Sequence, residues 1–190
     1  MIVDNGFVVS QLFRPFHGLP AIAIKRFKFD QAPSCVLTVE NLATFHELAM
    51  LASTTQATVV YTGGMPSPTW RRAYRALLES IATHVPLYHF GDIDVGGFRI
   101  AHAVTEVVAH VGRSLRPWRM DPEMLVREGY ELNPAKAVQV AAMQRWCDRL
   151  GWVDLADSLS RSPGTLEQEA IAPTLPCLGR SEANVSRARD

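Results

Sequence analysis

The sequence predicts an α/β protein: a mostly parallel sheet covered by helices on both faces, with a helical extension at the carboxyl end. Two observations carry this. From residue 36 onward, short β-rich apolar runs alternate with stretches whose apolar residues recur at i, i+3, i+4 and i+7, the pattern of strand and crossover helix. In His89-Phe90-Gly91-Asp92-Ile93-Asp94-Val95-Gly96-Gly97-Phe98, an apolar run stops at two alternating aspartates and then at paired glycines, as a strand does when it ends at the mouth of a helix. With 190 residues and 47% hydrophobic composition, the chain can bury one sizeable core.

Residues 7–28 mix apolar segments with turn formers and read as a hairpin or extended arm. The first strand of the main sheet falls at 36–40 and leads into a helix at 42–53, with Leu42, Phe45, Leu48, Ala49 and Ala52 on one face. A second strand at 58–62 is ended by Gly63-Gly64. The helix at 68–83 fits the helical template best: Trp70, Ala73, Tyr74, Leu77, Leu78 and Ile81 form its apolar stripe, and Arg71, Arg72, Arg75 and Glu79 its polar side. The third strand, 86–91, delivers the aspartates, and a helix at 97–111 follows. Residues 116–120 read as a fourth strand that Pro117 confines to a sheet edge. Asp121-Pro122 and Asn133-Pro134 each look like an N-cap followed by proline at the first helical position. A short helix at 166–171 capped by Thr165, and a disordered tail over 180–190, complete the reading. The divisions are then an amino-terminal arm (1–32), a catalytic core (33–120), a helical extension (121–175) and a tail (176–190).

Bulk properties exclude several classes. Nineteen basic and nineteen acidic residues cancel, so the whole chain exerts no general pull on nucleic acid or anionic lipid, and any polyanion site is local. Cys35, Cys147 and Cys177 show no Cys-x-x-Cys spacing, which argues against a zinc site or a disulfide framework and for a reduced setting. The start lacks the basic and apolar regions of a signal peptide, and no run approaches the ~20 apolar residues of a membrane span. A cytoplasmic protein without membrane association is expected.

The chemistry is concentrated at strand ends. In open parallel sheets, ligands gather outside the carboxyl ends of the strands, and Glu40, Asp92 and Asp94 all fall there. If the first and third strands are neighbours, the three carboxylates face one crevice. Oxygen donors without His or Cys select a hard cation, and Mg²⁺ characteristically takes one or two carboxylates while keeping waters and phosphate oxygens. That donor set belongs to phosphoryl-transfer or phosphodiester chemistry. Gly96-Gly97 let the backbone approach a phosphate at a helix start, and Gly63-Gly64 supply a similar opening.

These residues also carry a resemblance. The glutamate of Val39-Glu40-Asn41 after the first strand, the turn Tyr61-Thr62-Gly63-Gly64-Met65-Pro66-Ser67 after the second, and Asp92-Ile93-Asp94-Val95-Gly96-Gly97 after the third together resemble a Toprim domain. More narrowly, they resemble the carboxy-terminal domain of the JetD family, the nuclease subunits of Wadjet plasmid-defence systems. The layout is also similar to the metal-binding half of the type IIB topoisomerase A subunit. The resemblance covers residues 33–120 and, less closely, 164–171. It implies a three-layer, Rossmann-like Toprim sheet and a Mg²⁺- or Mn²⁺-dependent DNA endonuclease. Glu40 would then be general acid or base and metal ligand, with Asp92 and Asp94 as metal ligands. Glu169, or Glu167, would add a further carboxylate. Gly63, Gly64, Ser67, Gly96, Gly97, Arg71, Arg72 and Arg75 would be the phosphate- or DNA-contacting set. The resemblance further implies an SMC-like motor complex as partner and a homodimer. No room for the tyrosine-bearing winged-helix domain of the topoisomerases exists upstream of Glu40, so strand passage is not expected.

Simpler readings compete. An Asp-x-Asp pair also occurs in solvated turns, and a lone glutamate at a helix start is an ordinary first-turn carboxylate. Arg71, Arg72 and Arg75 suit a solvated helix face as well as a phosphate-binding one, and Arg113, Arg116 and Arg119 share that ambiguity. His89 and His102 read as structural, the tryptophans as core or interface anchors, and Cys147 as a buried thiol. Two rival functions follow: a silent docking or DNA-binding module with vestigial carboxylates, and an aspartate-nucleophile phosphatase suggested by Asp92-Ile93-Asp94-Val95. The phosphatase lacks a later lysine followed by an acidic pair.

Overall fold

The computed structural model describes residues 2–3, 6–7, 16 and 18–176. The sheet at its centre has four parallel strands: β4 (Cys35–Val39), β5 (Ala57–Tyr61), β6 (Leu87–Phe90) and β7 (Leu115–Pro117). They lie in the order β5-β4-β6-β7. The predicted Rossmann-like α/β class is therefore observed. Every residue of β4 is buried, as expected of a central parallel strand covered on both faces. The outer strand β7 ends on Pro117, whose missing N–H is tolerated at an edge.

The helices follow from local sequence. Helix α1 (Leu42–Ala52) starts at Asn41, whose side chain accepts from the Thr44 amide at 3.1 Å, and it buries Phe45, Leu48 and Ala49. Helix α2 (Pro68–Glu79) has Ser67 as cap and proline in its first turn, and it buries Ala73, Tyr74, Leu77 and Leu78. Helix α3 (Val95–His110) is capped by Asp94 and buries an almost unbroken stripe from Gly97 to Val108. Because β4 connects to β5 on one side while β6 connects to β7 on the other, right-handed crossovers put α1 on one face and α2 and α3 on the opposite one. Chain direction thus reverses between β4 and β6, and a crevice opens at their carboxyl ends.

The extension contains α4 (Pro122–Arg127), α5 (Ala137–Leu150) and α6 (Val153–Arg161). Asp121 caps α4 as predicted, accepting from Met124 N at 3.1 Å. Asn133 does not cap a helix: its backbone pairs with Thr165 in both directions at 2.9 Å, and α5 begins only at Ala137. Pairing with a distant segment overrode the local Asn-Pro signal. Thr165 is consumed in that bridge, so the predicted helix at 166–171 shrinks to a 3-10 turn at Gln168–Ala170. Helix α6 was not anticipated; its polar residues outnumber its apolar ones, and it still buries Leu155, Ser158 and Leu159.

At the amino end, β1 (Ile2–Val3), β2 (Gly6–Phe7) and β3 (Ile24–Arg26) pair antiparallel in the order β2-β1-β3. The predicted disordered tail lies outside the described residues. No helix among the described residues is long and apolar enough to cross a membrane. One expectation is corrected: Cys35 is disulfide-bonded. Spacing along the chain cannot report which cysteines the fold brings to bonding distance. Cys147 is a free, fully buried thiol whose pKa burial pushes up to about 12, which makes it inert at neutral pH.

Candidate active site

Strands β4 and β6 are neighbours, paired from Val36↔Leu87 to Val39↔Phe90, so the residues just beyond them face one another. Glu40 N still donates to Phe90 O at 3.3 Å, and then the chains part, one into α1 and the other through Gly91 to the aspartates. Glu40 Oε2 reaches across to the amide of Asp92, 3.4 Å away. The three carboxylates predicted from sequence therefore lie along the crevice between β4 and β6, close enough for their charges to act on one another.

Each carboxylate has a distinct environment. Asp94 is the N-cap of α3, its Oδ1 accepting from Gly97 N at 2.6 Å. Asp92 Oδ1 accepts from the backbone amide of Gln168 at 2.7 Å. Burial raises the pKa of Glu40 to about 7, reinforced by the charges of Asp92, Asp94 and Glu167. Burial likewise raises that of Asp92, with Asp94 adding to it, although the Gln168 amide opposes the shift. Crowded like charges in a part-buried crevice thus favour protonated carboxyls.

The fourth acidic contribution comes from a strap, residues 164–176, that returns over the sheet ends. Leu166 bridges Ile93 in both directions at 2.8 and 3.2 Å, Tyr130 Oη accepts from Ala172 N at 3.1 Å, and Trp118 Nε1 donates to Thr174 O at 2.8 Å. Glu167 hydrogen-bonds to the Asp92 carboxylate, whose charge raises its pKa. Glu169 turns instead to the side-chain amide of Asn41. Of the two glutamates, Glu167 is the one that touches an aspartate of the crevice. Gln168, which the sequence reading did not single out, is fully buried between them. Its only sequence signal was a polar residue inside Leu166-Glu167-Gln168-Glu169. An open cavity of about 500 Å³ lies on the far side of Glu169, lined also by Ala43, Glu47, Tyr130 and Ile171, beside the carboxylates rather than among them.

The remaining predicted residues are spread more widely. Gly63 and Gly64 have φ of 69° and 79°, left-handed values that favour glycine in the turn after β5. Ser67 Oγ is committed to capping α2, accepting from Trp70 N at 3.2 Å. Gly97 cannot carry a side chain, since a Cβ there would stand 2.2 Å from Asp92 O, and its N–H is spent on Asp94. Packing by itself requires glycine at this position. Arg71 pairs with Glu106 at 2.9 Å, Arg75 with Glu79 at 2.7 Å, and Arg72 donates to Ile22 O at 3.1 Å. All three are engaged within the chain. His102 packs its ring on Trp146, and Arg119 is held by Glu128 and by Tyr130 Oη.

Whether the donors suit a metal can be judged from their arrangement. Among the described residues, no three His, Cys, Asp or Glu side chains close around a common point. A cage for a fully protein-bound ion is thus not present. The oxygen-only donors do fit Mg²⁺, which keeps several waters and takes one or two carboxylates. Asp94 Oδ1 is spent on Gly97 N and Asp92 Oδ1 on Gln168 N, and the Asp92 carboxylate also meets Glu167.

Comparison with known proteins gives the chain's family. The family model of the Wadjet protein JetD, C-terminal, matches residues 11–175. The chain is also 25% identical over 140 residues to the Wadjet protein JetD of Bacillus cereus (strain Q1), an alignment that covers 72% of this chain and 33% of the relative. The matched part thus spans about a third of that relative's length.

Proposed function

Since the chain belongs to the family of JetD carboxy-terminal regions, and so to the Wadjet defence system, we propose that it is a Toprim-type, divalent-metal-dependent DNA endonuclease domain. The observation that carries this reading is the placing of Glu40, Asp92 and Asp94 at the adjoining ends of β4 and β6, within electrostatic reach of one another. Its substrate is duplex DNA such as plasmid, and its partners are an SMC-like motor complex and a second copy of the chain. With formal charge balanced at zero, DNA is presented by those partners rather than captured unaided.

Asp92 and Asp94 are the residues that would hold Mg²⁺ or Mn²⁺. A bound ion of this kind neutralises phosphate charge and polarises the phosphorus centre. Glu40, whose pKa of about 7 lets it take up and give back a proton near neutrality, accepts the proton of the attacking water. The water oxygen bonds to phosphorus, the bond from phosphorus to one deoxyribose oxygen breaks, and that oxygen takes a proton from solvent. Gln168 N and Gly97 N orient Asp92 and Asp94.

Nicking of supercoiled plasmid with Mg²⁺ or Mn²⁺ tests the reading, comparing the chain with Glu40→Gln and Asp92→Asn. Metal-dependent nicking lost in both variants is the expected result. Absence of both nicking and metal binding in the parent chain would replace it with the docking-module reading.

A further inference from the structure

We infer that Gln168 is a positioning residue, a side-chain rung that continues the β4–β6 ladder past its last backbone bond and fixes the spacing of Glu40 and Asp92. The inference rests on the metal-dependent reading of the crevice.

The ladder between β4 and β6 ends at the 3.3 Å bond from Glu40 N to Phe90 O. One residue later the backbones diverge, because Gly91 turns toward the aspartates while Asn41 caps α1. The carboxamide of Gln168 fills that gap. Its Oε1 accepts from Asn41 N at 2.7 Å and its Nε2 donates to Phe90 O at 2.7 Å. A carboxamide has the donor and acceptor of a peptide group, so it can stand in for the missing rung. Both partners fix its orientation, since Asn41 N can only donate and Phe90 O can only accept. The backbone N–H of the same residue holds Asp92 Oδ1 at 2.7 Å. One residue thus binds the position after Glu40, the position two before Asp92, and the Asp92 carboxylate itself.

Burial makes the arrangement exacting. Gln168 is 0% exposed, so removing its amide takes the side-chain acceptor from Asn41 N and leaves Phe90 O with only the 3.3 Å bond from Glu40 N. Docking of the strap does not depend on it. The bridge of Leu166 to Ile93, the pairing of Thr165 with Asn133, and the bond from Ala172 to Tyr130 all lie outside the carboxamide. Replacing the amide therefore alters crevice geometry while leaving the strap in place, which separates positioning from simple attachment.

The experiment compares Gln168→Met, which keeps the length and loses the amide, with Tyr130→Phe, which loosens the strap and leaves the amide. Mn²⁺ affinity is measured by calorimetry, melting temperature by circular dichroism, and the amide resonances of Asn41 and Asp92 by NMR. Gln168→Met is expected to weaken Mn²⁺ binding at least tenfold and to shift both resonances. Tyr130→Phe, at a similar loss of melting temperature, is expected to stay within twofold of the parent with both resonances in place. Weakening in both variants in proportion to lost stability, or in neither, would overturn the role. If the parent chain binds no Mn²⁺, the metal reading fails by itself and the resonances decide. A shift confined to Gln168→Met upholds the rung, and unchanged resonances refute it.

Discussion

The Nδ1 atom of His89 lies 2.9 Å from the hydroxyl of Thr38, whose own hydrogen is spent on the carbonyl of Tyr88 at 3.1 Å. Thr38 must therefore accept, so Nδ1 carries the proton and Nε2 is left with a lone pair. That Nε2 is buried with no partner among the described residues. It shares a small space with Glu40: a Cβ on Gly91 would stand 2.8 Å from His89 Nε2 and 3.0 Å from Glu40 Oε2. Burial keeps the imidazole neutral, its pKa pushed down to about 3.

Opposite pH dependences follow from this pair. His89, with a folded pKa far below its ordinary 6.5, costs stability as pH falls from 6.5 toward 3, because the unfolded chain takes up the proton. Glu40, raised from 4.5 to about 7, adds stability as pH falls through the same upper range. Between pH 6.5 and 4.5 the two oppose each other, Glu40 acting at reduced strength because it is partly solvated. Of this pair only His89 acts below pH 4.5, where it lowers stability by about 1.4 kcal/mol per pH unit, against the smaller opposing effect of Asp92. Urea denaturation from pH 3.5 to 8 checks this; in His89→Met the acid-side fall due to this residue should vanish.

Glu40→Gln should abolish nicking and yet stabilise the metal-free chain at pH 8. Replacing one of several crowded carboxylates relieves repulsion, a gain of up to about 1 kcal/mol once solvent screening is allowed for. Thermal melts without and with Mg²⁺ provide the comparison, and the variant, which keeps Asp92 and Asp94 but lacks one charge, should gain less from the ion than the parent chain.

Affinity for Mn²⁺ should rise with pH up to about 7 and level off above it, because binding displaces the proton held by Glu40. Calorimetry in buffers of different ionisation enthalpy would show proton release at pH 6.5 and little at pH 8.

The adjacent glycines of α3 should behave differently. Gly97→Ala drives a methyl group into the backbone of Asp92 and is expected to destabilise the chain by roughly 3 kcal/mol. At Gly96 a Cβ meets only Asp94 Oδ1 at 3.2 Å, so Gly96→Ala should be near neutral, the helical gain of about 1 kcal/mol offsetting the crowding. Denaturation midpoints of the two variants settle the contrast.

Arg71→Ala and Arg75→Ala should each cost no more than about 1 kcal/mol. The salt dependence of DNA binding should be unaltered in both, because their guanidinium groups are already paired with Glu106 and Glu79. A shallower salt slope would return these arginines to the nucleic-acid surface.

What the sequence revealed followed the range of the forces involved. The central strands were readable because Val36, Leu37 and Val39 are buried on a sheet covered from both sides, and α2 because its apolar stripe repeats without a break. Glu40, Asp92 and Asp94 could be found because a charged residue ending an apolar run is visible locally. Long-range pairing escaped notice. Asn133 looked like a cap until Thr165 claimed its backbone, and Gln168 carried no local mark of a role assigned by residues 127 and 78 positions away. Cys35 was missed for the same reason.

The strap also orders events in time. A polypeptide is made from its amino end, and its early parts can fold while the rest is still being synthesised. All four strands of the parallel sheet precede the strap, so the sheet can assemble while Glu40 and Asp92 still lack Gln168. A nascent chain halted before residue 165 would hold a nearly complete body with an unfinished crevice. The crevice therefore takes its final form only after the sheet that supports it already exists.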